Sequence, residues 1–358
     1  MSARTLLAVS AALTPKQRDG IARGEEPRRD LELLREMTGA DVIDPGPVGF
    51  GGWPLAGLRL AAKVARAGRA YDNVFADGEH IALPLAAVLR PRRTRPRVTA
   101  VGHYLTPRKK KIFARVTGAS GMISRIAIHS ETQRPHAREM GFADRQIWLV
   151  PYQVDTEFWQ PQERPAEDQM CAAGLEFRDY RTMLAAMRGL PISADIAVAS
   201  PWSKRRPNFQ LAEVPENVRI VRHAYAGLRD MYARSRFVAV PLRDVDFQAG
   251  IITILEAMAM ARAVIVTRTR GQIGTVSGPL FTDAGLSEEI VEQPDYHPNG
   301  VYVTPESPQA LRSAIEYLMR HPEDAARMGA NGRRFVSEQC TVEQYASRLA
   351  AMIEDGDG

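Results

Sequence analysis

Cysteine is scarce in this 358-residue chain: Cys171 and Cys340 are the two, far apart and in no paired or metal-like spacing. That scarcity excludes a disulfide framework and a cysteine-built metal centre, and it points to a reducing cytoplasm. Long apolar runs are also missing. The longest, Ile81 to Leu89, contains Pro84 and stops at Arg90, far short of the roughly 20 residues a membrane-crossing helix needs. Thr5 to Leu13 follows Arg4 and has the make-up of a short signal-peptide core, but it fits better as the first buried strand of an α/β domain. There is no internal repeat, no low-complexity tract and no cluster of metal ligands, so no metal is expected.

Acidic residues are sparse in one segment only. Residues 90–155 hold 14 Lys or Arg against 4 Asp or Glu, whereas residues 156–358 hold 22 against 27. The densest parts are Arg90 to Arg97 and Arg108 to Lys111. The segment lacks the interleaved aromatics that stack bases, so nucleic acid is not an expected partner. An anionic or membrane-linked acceptor, or an acidic membrane surface touched from the cytoplasmic side, suits the charge; so does a plain solvated basic face.

What is present is ample core material, 45% apolar against 25% charged, in a length that suits two domains. Strand-like runs alternate with helical patterns in both halves, the mark of α/β architecture with parallel sheets. Strands are expected at 6–11, 42–43, 73–76, 98–101, 126–129 and 146–150, then at 170–173, 194–199, 218–221, 237–241, 263–266 and 300–303. Helices are expected at 27–38, 55–67, 81–89, 109–117 and 131–140, with three more at 308–321, 323–339 and 342–354. The proline-rich stretch Pro151 to Pro165 reads as an interdomain linker. It divides the chain into 1–155, 156–338 and a C-terminal helix at 339–358.

Phe237 to Met260 carries the most chemistry: a buried strand, a polar loop, Gly250 and a helical run. Gly250 lets backbone approach a ligand closely, and the N–H groups of Ile251, Ile252 and Thr253 lie at the positive end of the helix, suited to diphosphate or sugar hydroxyls. Glu256 follows one turn beyond Ile252 and can accept two hydrogen bonds from a ribose diol. Taken alone, an ordinary βα unit with a solvated glutamate fits the same residues. His103, delivered by the strand at 98–101, and Asp77, Glu79 and His80 after the strand at 73–76, are candidates for the acceptor side; Asp77 and Glu79 equally fit helix-start residues favoured by the dipole.

The Gln248 to Glu256 stretch resembles the nucleotide-sugar site of the retaining GT-B glycosyltransferases grouped as family 4, whose motif is two glutamates separated by seven residues. Glu256 stands at the second glutamate and Gln248 at the first. The resemblance implies that Glu256 binds the donor ribose and that Gln248, with Ala249, Gly250, Ile251 and Ile252, faces the donor sugar and diphosphate. A second match is Cys171 to Leu184: Gly174 keeps the family's glycine, Leu175 replaces its arginine, and Arg178 falls where a lysine clamps the diphosphate. Lys204, with Arg205 and Arg206, is a further basic turn on that side. His103 matches a histidine that faces the cleft in the family, and Ala224 with Tyr225 match the loop whose backbone reads the base. In place of the family's glycine-rich loop after its first strand stands Thr14 to Gly20.

The implied fold is GT-B, two Rossmann-like domains facing a central cleft, with the last helix returning to the first domain. The implied activity is retaining transfer of a sugar from a nucleotide diphosphate donor, UDP- or GDP-linked, to a glycan, lipid-linked or small-molecule hydroxyl. Arg178, His103 and Gln248 stand as catalytic candidates, with no cofactor beyond the donor. Two other readings of the same fold are a noncatalytic GT-B subunit, which the departures at Gln248 and Leu175 keep open, and an epimerase or hydrolase acting on the same donor.

Overall fold

The computed structural model describes residues 3–45, 55–67, 70–163, 167–198, 208–291 and 297–354. The chain forms two compact units. One comprises 1–19, 29–151 and 342–358; the other comprises 20–28 and 152–341.

The first unit begins with β1 (Thr5–Ala8), followed by α1 (Pro15–Ala22), which runs on into the second unit's segment, and by α2 (Asp30–Thr38) and β2 (Asp41–Ile43). Then come α3 (Leu55–Ala67), β3 (Asn73–Ala76), α4 (Glu79–Leu89), β4 (Arg97–Gly102), α5 (Arg108–Thr117), β5 (Ile123–Ile128), α6 (Arg134–Glu139) and β6 (Ile147–Leu149). The strands form one parallel sheet in the order β2-β1-β3-β4-β5-β6. Side chains alternate across it as a pleated strand requires. Leu6, Ala8, Val74, Ala76, Val98 and Ala100 pack with α3 and α4 on one face. Leu7, Val9, Phe75, Val101 and Ala127 face Leu34 of α2 and the C-terminal helix on the other.

The second unit holds β7 (Gln169–Ala173), α7 (Tyr180–Met187), β8 (Ser193–Ala197), β9 (Val218–Val221), α8 (Tyr225–Arg234), β10 (Phe237–Val240), α9 (Ile251–Ala259) and β11 (Ala263–Thr267). It continues through β12 (Gly278–Thr282), β13 (Gly285–Val291), β14 (Gly300–Val303), α10 (Pro308–Arg320) and α11 (Pro322–Gln339). Its sheet runs β13-β12-β14-β11-β10-β7-β8-β9, parallel except for the β12–β13 hairpin. Cys171, Val238, Val240, Val264 and Val266 face α9 and α11, and Met170, Ala172, Phe237, Ala239 and Ile265 face α7 and α10. Both sheets are covered on both faces, which is why their strands read as nearly continuous apolar runs. The last helix, α12 (Val342–Glu354), belongs to the first unit.

Several elements differ from the sequence reading. The helix expected at 27–38 starts at Asp30, because Arg28 is held elsewhere: its backbone N–H and its guanidinium donate to the buried carboxylate of Asp155, at 2.8 Å each. Asp155 also accepts from the N–H groups of Glu157 and Phe158. Burial alone would raise its pKa, but the Arg28 bonds and charge outweigh burial and hold it below the usual carboxylate range. Thr14 to Gly20, which stands in place of the family's glycine-rich loop, opens α1. The Thr14 hydroxyl accepts from the Gln17 N–H and the Gln17 carbonyl accepts from the Thr14 N–H, a reciprocal cap legible as Thr-x-x-Gln. The supposed linker is partly core, since Val154, Phe158 and Trp159 are buried in the second unit.

Candidate functional site

In the second unit the strand order reverses between β7 and β10, so the crevice at their carboxyl ends is the switch point where open parallel sheets take ligands. Two loops meet there. The turn after β7 contains Gly174 at φ 95°, and the loop after β10 ends on Gly250 at φ 80°, both in the left-handed region that suits glycine. Arg178 is packed between them and buried, and a β carbon would lie 2.5 Å from its guanidinium at Gly174 and 3.3 Å at Gly250. Its side chain donates to the carbonyls of Ala173 (2.9 Å) and Glu176 (3.1 Å) and to the Thr253 hydroxyl (2.9 Å). The two loops are tied by backbone bonds from Asp179 to Pro241 and from Arg243 to Phe177, each 3.0 Å. A guanidinium fixed this way costs little further entropy when it meets an anion. Burial pushes it below the ordinary arginine range, with the Tyr180 hydroxyl first among the groups acting the other way.

Gly250 caps α9, whose first intrahelical donor is Ile254 to the Gly250 carbonyl. The N–H groups of Ile251, Ile252 and Thr253 therefore point out of the helix start, beside Arg178. Ile252 is 49% exposed at this end. One turn on, Glu256 is buried and accepts a 3.1 Å hydrogen bond from Tyr232. Burial, then the Glu256 charge, pushes the Tyr232 hydroxyl well above its ordinary value, so it remains a proton donor. Tyr232 packs on Trp159 (5.5 Å), and Trp159 and Phe158 both meet the edge of Tyr225 at 6.4 Å. Ala224 and Tyr225 sit at the start of α8, beyond β9. Gln248 donates to the Thr275 hydroxyl at 3.4 Å, while its carbonyl oxygen is buried without a hydrogen-bond partner among the described residues. Lys204, Arg205 and Arg206 lie outside the described residues.

The first unit repeats the switch-point logic between β1 and β3. Ser10, after β1, donates to Asp77, after β3, from its backbone N–H (2.6 Å) and its hydroxyl (2.9 Å), and the hydroxyl also bonds His80 at 3.0 Å. Next along the edge come His103 after β4 and His129 after β5. His129 Nδ1–H donates to the Val150 carbonyl (2.9 Å), and His103 Nε2–H donates to the Asp77 carbonyl (2.7 Å). Carbonyls only accept, so these bonds fix both ring orientations and leave His129 Nε2 as an acceptor 3.4 Å from His103 Nδ1. Burial, reinforced by His103, lowers His129 to about 3. Burial raises Asp77 and Asp30 and lowers His80.

Glu79 is placed beneath this edge. Its buried carboxylate accepts from the His103 backbone N–H at 3.0 Å and from the Lys110 ammonium; burial pushes its pKa up, but Lys110 together with His103 and His80 brings it below the usual carboxylate range. Sequence reasoning brought Gly174, Arg178 and Gly250 to one crevice and Asp77, His80 and His103 to one sheet edge. It named the Thr253 N–H but missed the Thr253 hydroxyl and Tyr232, which hold Arg178 and Glu256, as well as Ser10, Asp30 and His129. Thr253, three residues into a glycine-capped helix, carried a signal. Tyr232 and His129 carried none, because their roles depend on groups distant in sequence.

The comparisons with known proteins agree with this architecture. Residues 193–321 match the family model described as glycosyl transferases group 1. Over 355 residues the chain is 23% identical to the MMP alpha-(1->4)-mannosyltransferase of Mycolicibacterium hassiacum, covering 93% of this chain and 81% of that protein. Among solved structures it resembles a glycosyltransferase from Rickettsia africae, with TM-score 0.70, 15% identity and full coverage of both chains. The sucrose-phosphate synthase of Thermosynechococcus elongatus gives TM-score 0.69 at 15% identity, with 98% of each chain covered. The Anabaena protein HepE in complex with UDP and glucose gives TM-score 0.65 at 15% identity, covering 99% of this chain and 100% of that one. The fold is GT-B, and the chain is a glycosyltransferase.

Proposed function

We propose that the chain moves a hexose from a nucleoside diphosphate donor, UDP- or GDP-linked, onto an acceptor hydroxyl with retention of anomeric configuration. The observation that carries the donor half is the buried guanidinium of Arg178, fixed between Gly174 and Gly250 at the start of α9. There it and the outward N–H groups of Ile251, Ile252 and Thr253 suit the diphosphate, and Glu256 one turn on suits the ribose diol. Gln248 gives the sugar hydroxyls an uncharged acceptor. The mannosyl transfer named for the Mycolicibacterium relative and the UDP and glucose bound to the Anabaena protein support a hexose on a nucleoside diphosphate.

In the proposed reaction the bond from the anomeric carbon to the diphosphate breaks as the acceptor oxygen bonds that carbon on the same face. The acceptor proton passes to the departing phosphate oxygen. Arg178 and the helix start stabilise the charge that develops on the leaving group, and His103, oriented by the Asp77 carbonyl, positions the acceptor hydroxyl. The protein's part is orientation and fixed charge, with no metal in the step.

Thermal shift against UDP-, GDP-, ADP- and TDP-hexoses tests the reading. One donor should raise the melting temperature of the wild type by mass action. Glu256→Gln, which keeps the Tyr232 bond, should weaken that donor about tenfold with little change in the unliganded melting temperature, and Arg178→Lys should weaken it by a similar factor. No shift with any nucleotide sugar would sink the proposal.

A further inference from the structure

The four-residue basic run at 108–111 does not act as one unit. Lys110 is spent on Glu79 and the Tyr104 carbonyl, and Lys111 on Glu139 and His136. Both ammonium groups are thus already paired within the first unit, Lys110 with a buried carboxylate and Lys111 with a surface one. Arg108, Lys109 and Arg115 instead point outward, with no ion pair or hydrogen-bond partner among the described residues. Between them lie two apolar side chains one helical turn apart, Ile112 at 52% exposure and Val116 at 79%. Residues 108, 109, 112, 115 and 116 share one helix face by their spacing.

That face continues past the end of the helix. The Arg90 guanidinium donates to the Thr117 carbonyl, 2.5 Å away, and packs against Gly118. Arg90 thereby ties the turn that carries the exposed Arg93 and Arg95 to the C-terminal end of α5. An exposed valine and isoleucine on the helix face that also carries Arg108, Lys109 and Arg115 are poorly matched to water. They are well matched to the boundary between acidic headgroups and acyl chains, which takes both parts of such a face.

We propose that α5 docks the protein on an anionic lipid bilayer, with Ile112 and Val116 entering the headgroup boundary and Arg108, Lys109 and Arg115 meeting lipid phosphates. Because α5 begins five residues after His103, and Glu79 bonds both the His103 backbone and Lys110, docking brings the acceptor-side edge close to the lipid surface. The proposal stands without the donor assignment, and its test does not use turnover.

Co-sedimentation of the full chain with vesicles of phosphatidylcholine, alone or mixed with phosphatidylglycerol, decides it. The wild type should bind the mixed vesicles and not the neutral ones. Arg108→Gln/Lys109→Gln/Arg115→Gln should lower the affinity roughly a hundredfold, about fivefold per charge. Ile112→Ser/Val116→Ser should lower it by about tenfold at the same salt. Melting temperatures should stay near that of the wild type, since none of the five side chains is buried; if the triple variant does not fold, Arg115→Gln alone should cost about fivefold. Equal binding to neutral vesicles, no vesicle binding, or wild-type binding by both variants would overturn the proposal. So would loss in the charge variant alone, which would indicate electrostatic adsorption with no entry of Ile112 and Val116 into the headgroup boundary.

Discussion

His129 shows how one side chain can tie a site to pH. A neutral imidazole is required in the folded state, where burial holds it at about 3, whereas the unfolded chain titrates near 6.5. The unfolded state therefore binds the proton first. Its contribution to stability is complete above about pH 6.5 and is lost as pH falls towards 3. Between pH 7 and pH 5 the wild type should lose about 1–2 kcal/mol through this group. Asp30 and Asp77, both raised by burial, pull the opposite way as pH falls. The informative quantity is thus the difference between wild type and His129→Asn in urea midpoints at the two pH values. An equal loss in both proteins would remove His129 as the cause. At this scale the sequence was a partial guide. Gly174, Arg178, Gly250 and His103 were legible because each closes or follows an apolar strand, and Glu256 because it lies in the helix that Gly250 opens. Their partners Thr253, Tyr232 and Asp77 could not be paired with them, because 24 to 75 residues separate the bonded groups.

At the scale of the element, α9 and its glycine bear the most weight. A methyl group at Gly250 would meet Val240 at 2.8 Å, Leu242 at 3.0 Å and the Arg178 guanidinium at 3.3 Å, on a backbone already at φ 80°. Gly250→Ala should therefore cost about 2 kcal/mol or more of stability in the second unit, read by chemical denaturation, and should weaken nucleotide binding through the displaced Arg178. Unchanged stability would mean that the loop relaxes freely. The α9 unit was readable from periodicity, as were the three C-terminal helices. The β12–β13 hairpin was not. Its two-residue turn, Asp283-Ala284, lacks the usual glycine pair, and its strands start at Gly278 and Gly285, which read as breakers. Such a glycine is kept at 278 because a β carbon there would strike the Gly300 carbonyl.

At the scale of the whole molecule, α12 joins a unit whose other parts precede residue 152. Tyr345, Ala346, Leu349, Ala350, Met352 and Ile353 pack with Leu7, Leu34, Phe75, Val101 and Ala127. Burying such a face is worth an amount comparable to the 5–15 kcal/mol that holds an ordinary domain together. Truncation after Thr341 should therefore unfold the first unit while the second keeps its hydrogen-exchange protection; protection in β3 and β4 that survives truncation would contradict this. Synthesis on the ribosome gives the same feature a temporal meaning. The 203 residues from 152 to 354 must emerge before the first unit can close, which takes roughly 10–40 s at ordinary elongation rates. The segment translated first is thus completed last, and the apolar sheet face around Phe75 spends that interval as a surface for chaperones to cover.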